Sequence, residues 1–206
     1  MKNTLATYMF MLVCGTVLTL APTHAGNNRV TFGLECGYAA SIVNLEQSNF
    51  FDPDEYNRVN INDWRLTCKF SGELLLHAGY DFNEHWNLSL YAGYAGAGEY
   101  QPAIPIFLRL SRYYGNSTMK DRWFTFLDAG SGIGIKPDPQ EIYIGRLGGG
   151  YRLSMSRLAK LDLMASVRFM CIHPQIIHYG EMITADLINR NNAYITSINI
   201  GIGLTF

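Results

Sequence analysis

From residue 29 onward the chain alternates apolar and polar residues with a period of two, in eight segments. They run Arg29–Ala40, Trp64–Tyr80, Trp86–Ala97, Ile104–Tyr114, Arg122–Ile135, Ile142–Met155, Leu161–Ile172 and Tyr194–Phe206. Only an extended strand returns every second side chain to the same side, so the pattern demands strands with two chemically distinct faces. One parity is apolar: Phe32, Leu66, Leu74, Leu90, Leu108, Leu147, Val167 and Ile200 are typical of it. The other carries Glu35, Lys69, Glu73, Arg109, Asp128, Arg146, Arg152, Asp162 and Arg168, interleaved with Gly37, Gly79, Gly93, Gly148, Gly150, Gly201 and Gly203. The fifth segment breaks the rule. Phe124 and Phe126 share parity with Asp128, while Thr125 and Ser131 fall on the apolar side, an irregularity that a bulge or register shift repairs.

Alternation alone does not say which face is the core. A soluble barrel points its apolar face inward; a barrel in a membrane points it at lipid. Three features favour the second arrangement. Glycines crowd the charged face, where the narrow interior of an eight-stranded barrel has room for little else. Trp64, Tyr94, Tyr143 and Tyr194 gather at one end of their strands, and Tyr80, Trp86, Tyr114, Trp123 and Phe206 at the other, as two aromatic girdles at lipid headgroups would. Connections also alternate. Asp81–His85, Gly115–Asp121 and Ser156–Lys160 are short, whereas the links after the first and seventh strands reach about 20 residues, the pattern of short periplasmic turns and longer outer loops. Charged residues make up only 16% of the chain, and with a net charge of −1 there is no basic excess for nucleic acid.

The N-terminus reads as an export signal. Lys2 is followed by apolar Leu5–Leu20 and a small-x-small cleavage site at Thr23-His24-Ala25. Residues 1–25 are therefore expected to be a cleaved signal peptide and residues 26–206 the barrel domain. Apart from that segment, no apolar run is long enough for a spanning helix.

In this pattern the chain resembles the small eight-stranded outer-membrane β-barrel proteins, of the OmpA/OmpX size class. Ile104–Ile135 in particular resembles the generic outer-membrane-protein β-barrel domain. The C-terminal strand resembles the signal such proteins present to the barrel-assembly machinery: a polar residue, a glycine, an apolar residue and a final aromatic. Asn199, Gly201, Leu204 and Phe206 stand at those positions. The resemblance implies a closed antiparallel up-and-down transmembrane barrel in the bacterial cell envelope. It also implies contact with outer-membrane lipid and lipopolysaccharide, and passage through the assembly machinery. No peptidoglycan-binding domain is expected after the barrel.

Buried charges are costly unless paired, so the interior Arg, Lys, Asp and Glu residues are expected to form a salt-bridged plug; an ion path is the alternative. No catalytic residue is expected. His77 lies on the inward parity, away from lipid, and His173 and His178 have no matching serine. The acidic run Asp52-Pro53-Asp54-Glu55 lacks a calcium-loop spacing, and no metal or cofactor is expected. Cys36, Cys68 and Cys171 read as small lipid-facing residues without a disulfide. Met182, Ile183, Leu187 and Ile188 have helical spacing, which suits either a short amphipathic turn for a partner or packing on the barrel mouth. The expected function is a structural or surface-interaction component of the outer membrane. Loops Ser41–Asp63 and Pro174–Ala193 form its working surface toward an unnamed partner. The alternatives are a narrow porin-like pore, a lipid A-modifying enzyme, or a soluble periplasmic ligand-binding barrel.

Overall fold

The computed structural model describes residues 29–53, 55–96, 102–115, 117, 119–135 and 141–206. The expected signal peptide lies outside them. Eight long strands close into one barrel: β1 (Val30–Asp52), β2 (Asn57–Asp81), β3 (Trp86–Ala95), β4 (Ala103–Tyr113), β5 (Arg122–Gly134), β6 (Glu141–Ser154), β7 (Lys160–Ile172) and, last in the chain, β10 (Ile188–Thr205). Between β7 and β10 come a two-residue hairpin, β8 (Ile177–His178) with β9 (Glu181–Met182), and a single 3-10 turn at Ala185–Leu187. Every barrel strand pairs antiparallel with its neighbours, and β10 closes the ring against β1. Closure satisfies the ladder hydrogen bonds that an open sheet would leave bare in lipid.

The rows of paired residues are tilted. Leu74 in mid-barrel pairs with Cys36, and the row continues through Ile202, Leu163 and Tyr151 to Trp123 at the end bearing the short turns. That descent is the stagger a closed barrel requires. A second row, tilted in the same way, joins Trp64, Leu45, Tyr194, Cys171 and Tyr143, so three outer-girdle aromatics are linked by direct pairing.

The faces fall as an inverted barrel. Leu66, Leu90, Ile106, Leu147, Phe169 and Ile200 are exposed, whereas Glu35, Glu73, Arg109, Asp128, Arg146 and Arg168 are buried. The soluble alternative, with an apolar core, is excluded by this arrangement.

Three expectations are corrected. First, Ser41–Asp63 is not a loop. β1 and β2 continue as a ladder as far as Asp52↔Asn57, with one irregularity at Ser41/Val43, where Thr67 and Cys68 stand opposite Ile42. β10 extends alongside them, pairing Asn49 with Arg190. Part of Pro174–Ala193 is likewise strand and hairpin. Polar residues alternate there on both faces, so the apolar pattern that marks lipid-crossing strands fades while the strand itself persists.

Second, Lys69 has the inward parity but is exposed. β3 ends at Ala95 opposite Glu73, and its last bond to β2 is Gly96 N–H to Gly72 O. Among the described residues no β3 wall faces Lys69.

Third, β5 needs no bulge. Its pairing with β4 and β6 is continuous, Phe124 and Phe126 point inward at 3% exposure, and Trp123 and Leu127 point out at 66% and 55%.

Candidate functional site

The interior is layered. At mid-height three arginines meet three carboxylates. Arg109 donates from Nε and Nη2 to the two oxygens of Asp128 (2.8 and 2.9 Å), and from Nη1 to Glu35 Oε2 (2.6 Å). Arg146 donates from Nη1 to Glu35 Oε1 and from Nη1 and Nη2 to both oxygens of Glu73, each at 3.0 Å. Arg168 reaches Glu73 Oε2 at 3.3 Å and the carbonyl of Gly96 at 3.2 Å. None of these six side chains is more than 3% exposed. The planar guanidinium fork lets one cation hold two carboxylates, which makes burial of the charges tolerable.

Nearer the turn end, Arg152 grips Asp162 with two bonds of 2.6 Å, and Thr205 Oγ1 donates to Asp162 Oδ2 at 3.3 Å. Of the nine residues expected in the interior network, eight are buried in these two groups. Lys69 is not.

Apolar layers enclose the charges. Ile142, Ile144, Met170, Ile172 and Ile195, with Ala103 and Ala193, fill the lumen on the loop side. Tyr113, Phe124, Phe126 and Met164 fill it on the turn side, and Leu75, Tyr91 and Phe107 pack between strands β2, β3 and β4. Arg109 lies between the rings of Tyr91 and Phe126, 4.2 and 4.1 Å from their centroids. Arg122 and Arg152 both face Tyr113, at 4.2 and 4.4 Å. Such contacts hold a guanidinium whose water has been removed. A void of about 10 Å³ remains beside His77, Tyr91 and Arg109, room for no more than one water.

Sequence reasoning did not assign these inward apolar residues. The signal was available: Ile142 and Ile144 share parity with Arg146, and Met170 with Arg168.

The residues of the expected assembly signal occupy different places. Asn199 faces inward and donates to Glu73 Oε2 at 3.3 Å. Gly201 pairs with Gly37, where a Cβ on Gly37 would crowd Glu73. Leu204 pairs with Leu34 and Leu161, and Phe206 exchanges backbone bonds with Phe32 at 2.7 and 3.1 Å.

Beyond the barrel, β1, β2 and β10 rise as a three-stranded extension with a small core of its own. Phe50 is fully buried beneath Ile176 and Ile183, with Val59, Leu187 and Ile188 around them. Of the four apolar residues expected in a partner-binding or mouth-packing turn, three thus pack on β1, while Met182 is 57% exposed. His178 Nε2 lies 3.2 Å from Asp52 Oδ2, and its ring meets Phe50 edge-on at 5.1 Å. The hairpin turns at Tyr179 and Gly180, both at positive φ (48° and 88°). Tyr179 Oη donates to Glu55 Oε1 at 3.4 Å, and that carboxylate raises the phenol above its ordinary pKa.

His77 and His173 sit apart from this hairpin. His77 is buried against Tyr91, ring centroids 4.7 Å apart, and His173 Nδ1 lies 3.3 Å from Glu141 O. Among the described residues no three His, Cys, Asp or Glu side chains form a metal-binding group. Cys36 pairs with Leu74 and Ile202, not with Cys68.

A closed eight-stranded antiparallel ring, apolar outside and charge-paired within, defines the architecture of a small outer-membrane β-barrel. Among solved structures, the chain is similar to the outer membrane protein OprG from Pseudomonas aeruginosa. Identity is 13% over 88% of this chain and 98% of that one, with a TM-score of 0.51. It is also similar to Neisserial surface protein A (11% identity, 88% and 99% covered, TM-score 0.45) and to the outer membrane protease OmpT from Escherichia coli (7%, 89% and 99%, 0.44). The OprG match carries the fold and, at that identity, nothing further. No protein-family model and no curated protein matches the chain.

Proposed function

We propose that the protein is a non-catalytic surface component of the bacterial outer membrane, reached after cleavage of residues 1–25. In this reading the barrel is a plugged anchor and the β1–β2–β10 extension is the part that meets partners. The observation that carries it is the filled lumen: among the described residues, paired charges occupy its mid-height, with apolar layers above and below. The apolar girth contacts lipid, and lipopolysaccharide surrounds the loop end. Asn199, Gly201, Leu204 and Phe206 serve the assembly machinery during biogenesis. Supporting the outward role, the extension presents Tyr56 and Tyr179 at 82% and 75% exposure.

The test combines three measurements on one preparation. Extracted protein should need detergent and change gel mobility on boiling, and the folded barrel should carry no current in a planar bilayer. Lipid A from expressing cells should keep its mass. Steady single-channel steps would favour the pore, and a mass-shifted lipid A the enzyme.

A further inference from the structure

Arg112 lies on the lipid-facing parity of β4, one position beyond the last leucine of that face, Leu110. It is exposed, and among the described residues no carboxylate pairs with it. Its guanidinium instead sits between two rings of the turn-side girdle, 5.4 Å from the centroid of Trp86 and 5.5 Å from that of Tyr114. Tyr114 Oη is held by Thr125 Oγ1 at 3.0 Å, so that ring is fixed. β3 and β4 bring the pair together, because Trp86 is the direct cross-strand partner of Arg112.

A cation at this depth has two solutions: an acidic neighbour or an anion from the membrane itself. Arg65 on β2, also exposed, takes the first and pairs with Glu46 at 3.4 Å. Arg112 has the rings and no carboxylate. We infer that Arg112, Trp86 and Tyr114 bind the phosphate of an anionic glycerophospholipid in the leaflet at the turn end of the barrel. The guanidinium donates to the phosphate oxygens, and the rings hold its stem at headgroup level. The acyl chains extend toward the leucines above, Leu110 and its row partner Leu127. This site rests on the reading of the barrel as membrane-embedded.

The test is native mass spectrometry of the folded, detergent-purified barrel titrated with dioleoylphosphatidylglycerol. Dioleoylphosphatidylcholine serves as the zwitterionic control. Arg112→Gln should lower phosphatidylglycerol retention about fivefold, the weight of one basic side chain at an anionic surface. Arg65→Gln, on the outer extension, should leave it unchanged. Trp86→Ala should lower it as well, and it serves if Arg112→Gln does not fold, as judged by heat-modified mobility. Equal retention by wild type and either folded girdle variant overturns the site. A phosphatidylglycerol effect matched by inorganic phosphate competition at millimolar concentration marks an anion site without lipid selectivity, and also overturns it. If the wild-type protein instead needs no detergent and shows no heat-modified band, the membrane reading fails, and the site with it.

Discussion

The lower barrel and the outer extension are continuous strands with opposite logic. In the lower barrel the ring is closed, so each inward side chain faces another wall within a few ångströms. Charges there must pair, and Arg109, Arg146 and Arg168 share Glu35, Glu73 and Asp128 among them. In the extension, among the described residues, β2, β1 and β10 remain side by side, so one face packs and the other meets solvent. The core there is Phe50 with five apolar residues around it, closed by a short hairpin rather than by a ring. Closure converts polar residues into structure, and its loss returns them to solvent. Lys69 marks the boundary, for its parity is that of Glu73 but no β3 residue faces it.

The sharpest way to break the comparison is to remove one member of the shared network. Arg109→Ala leaves Asp128 and Glu35 short of a partner in a dry interior and should cost about 3–5 kcal/mol. The measurement is the denaturant midpoint of the heat-modifiable band. A change under 1 kcal/mol would mean water reaches the network.

In the extension, Phe50→Ala should cost about 3 kcal/mol, but locally. Limited trypsin digestion should cut faster at Arg58 and Arg190, while the boiling shift of the barrel stays intact. If the barrel midpoint falls with it, the two regions are one cooperative unit. Next comes a small-to-large change. A Cβ on Gly130 would run into the backbone and side chain of Phe107. Gly130→Ala should therefore lose about 1–3 kcal/mol on the same assay. At the bottom of the scale, Tyr56→Ser at the exposed tip of the extension should move the barrel midpoint by less than about 0.5 kcal/mol.

Much of the lower barrel was legible because lipid and a narrow lumen impose chemistry on alternate residues. The register of opposite charges came only from the structure, which pairs Arg109 across strands with Asp128, and Asp128 with Arg146. β5 looked irregular only because Phe124 and Phe126 were sorted by polarity. Inside a dry barrel an aromatic ring is a partner for arginine, so parity was the safer guide. The extension was not legible. Its strands lack the sustained apolar–polar alternation of the barrel, and a strand in water needs no alternation to persist when neighbours supply its hydrogen bonds.

By itself the sequence determined that these strands have two faces, where the short turns fall, and that eight of them suit a closed ring. Those are local matters, governed by side-chain alternation and by turn residues. Only the tertiary structure decided that Glu73 would serve two arginines and Asn199, that Arg109 would lie between Tyr91 and Phe126, and that β1 and β2 would outlast the barrel. These depend on stagger between strands distant in the chain, which closure imposes and no single strand encodes.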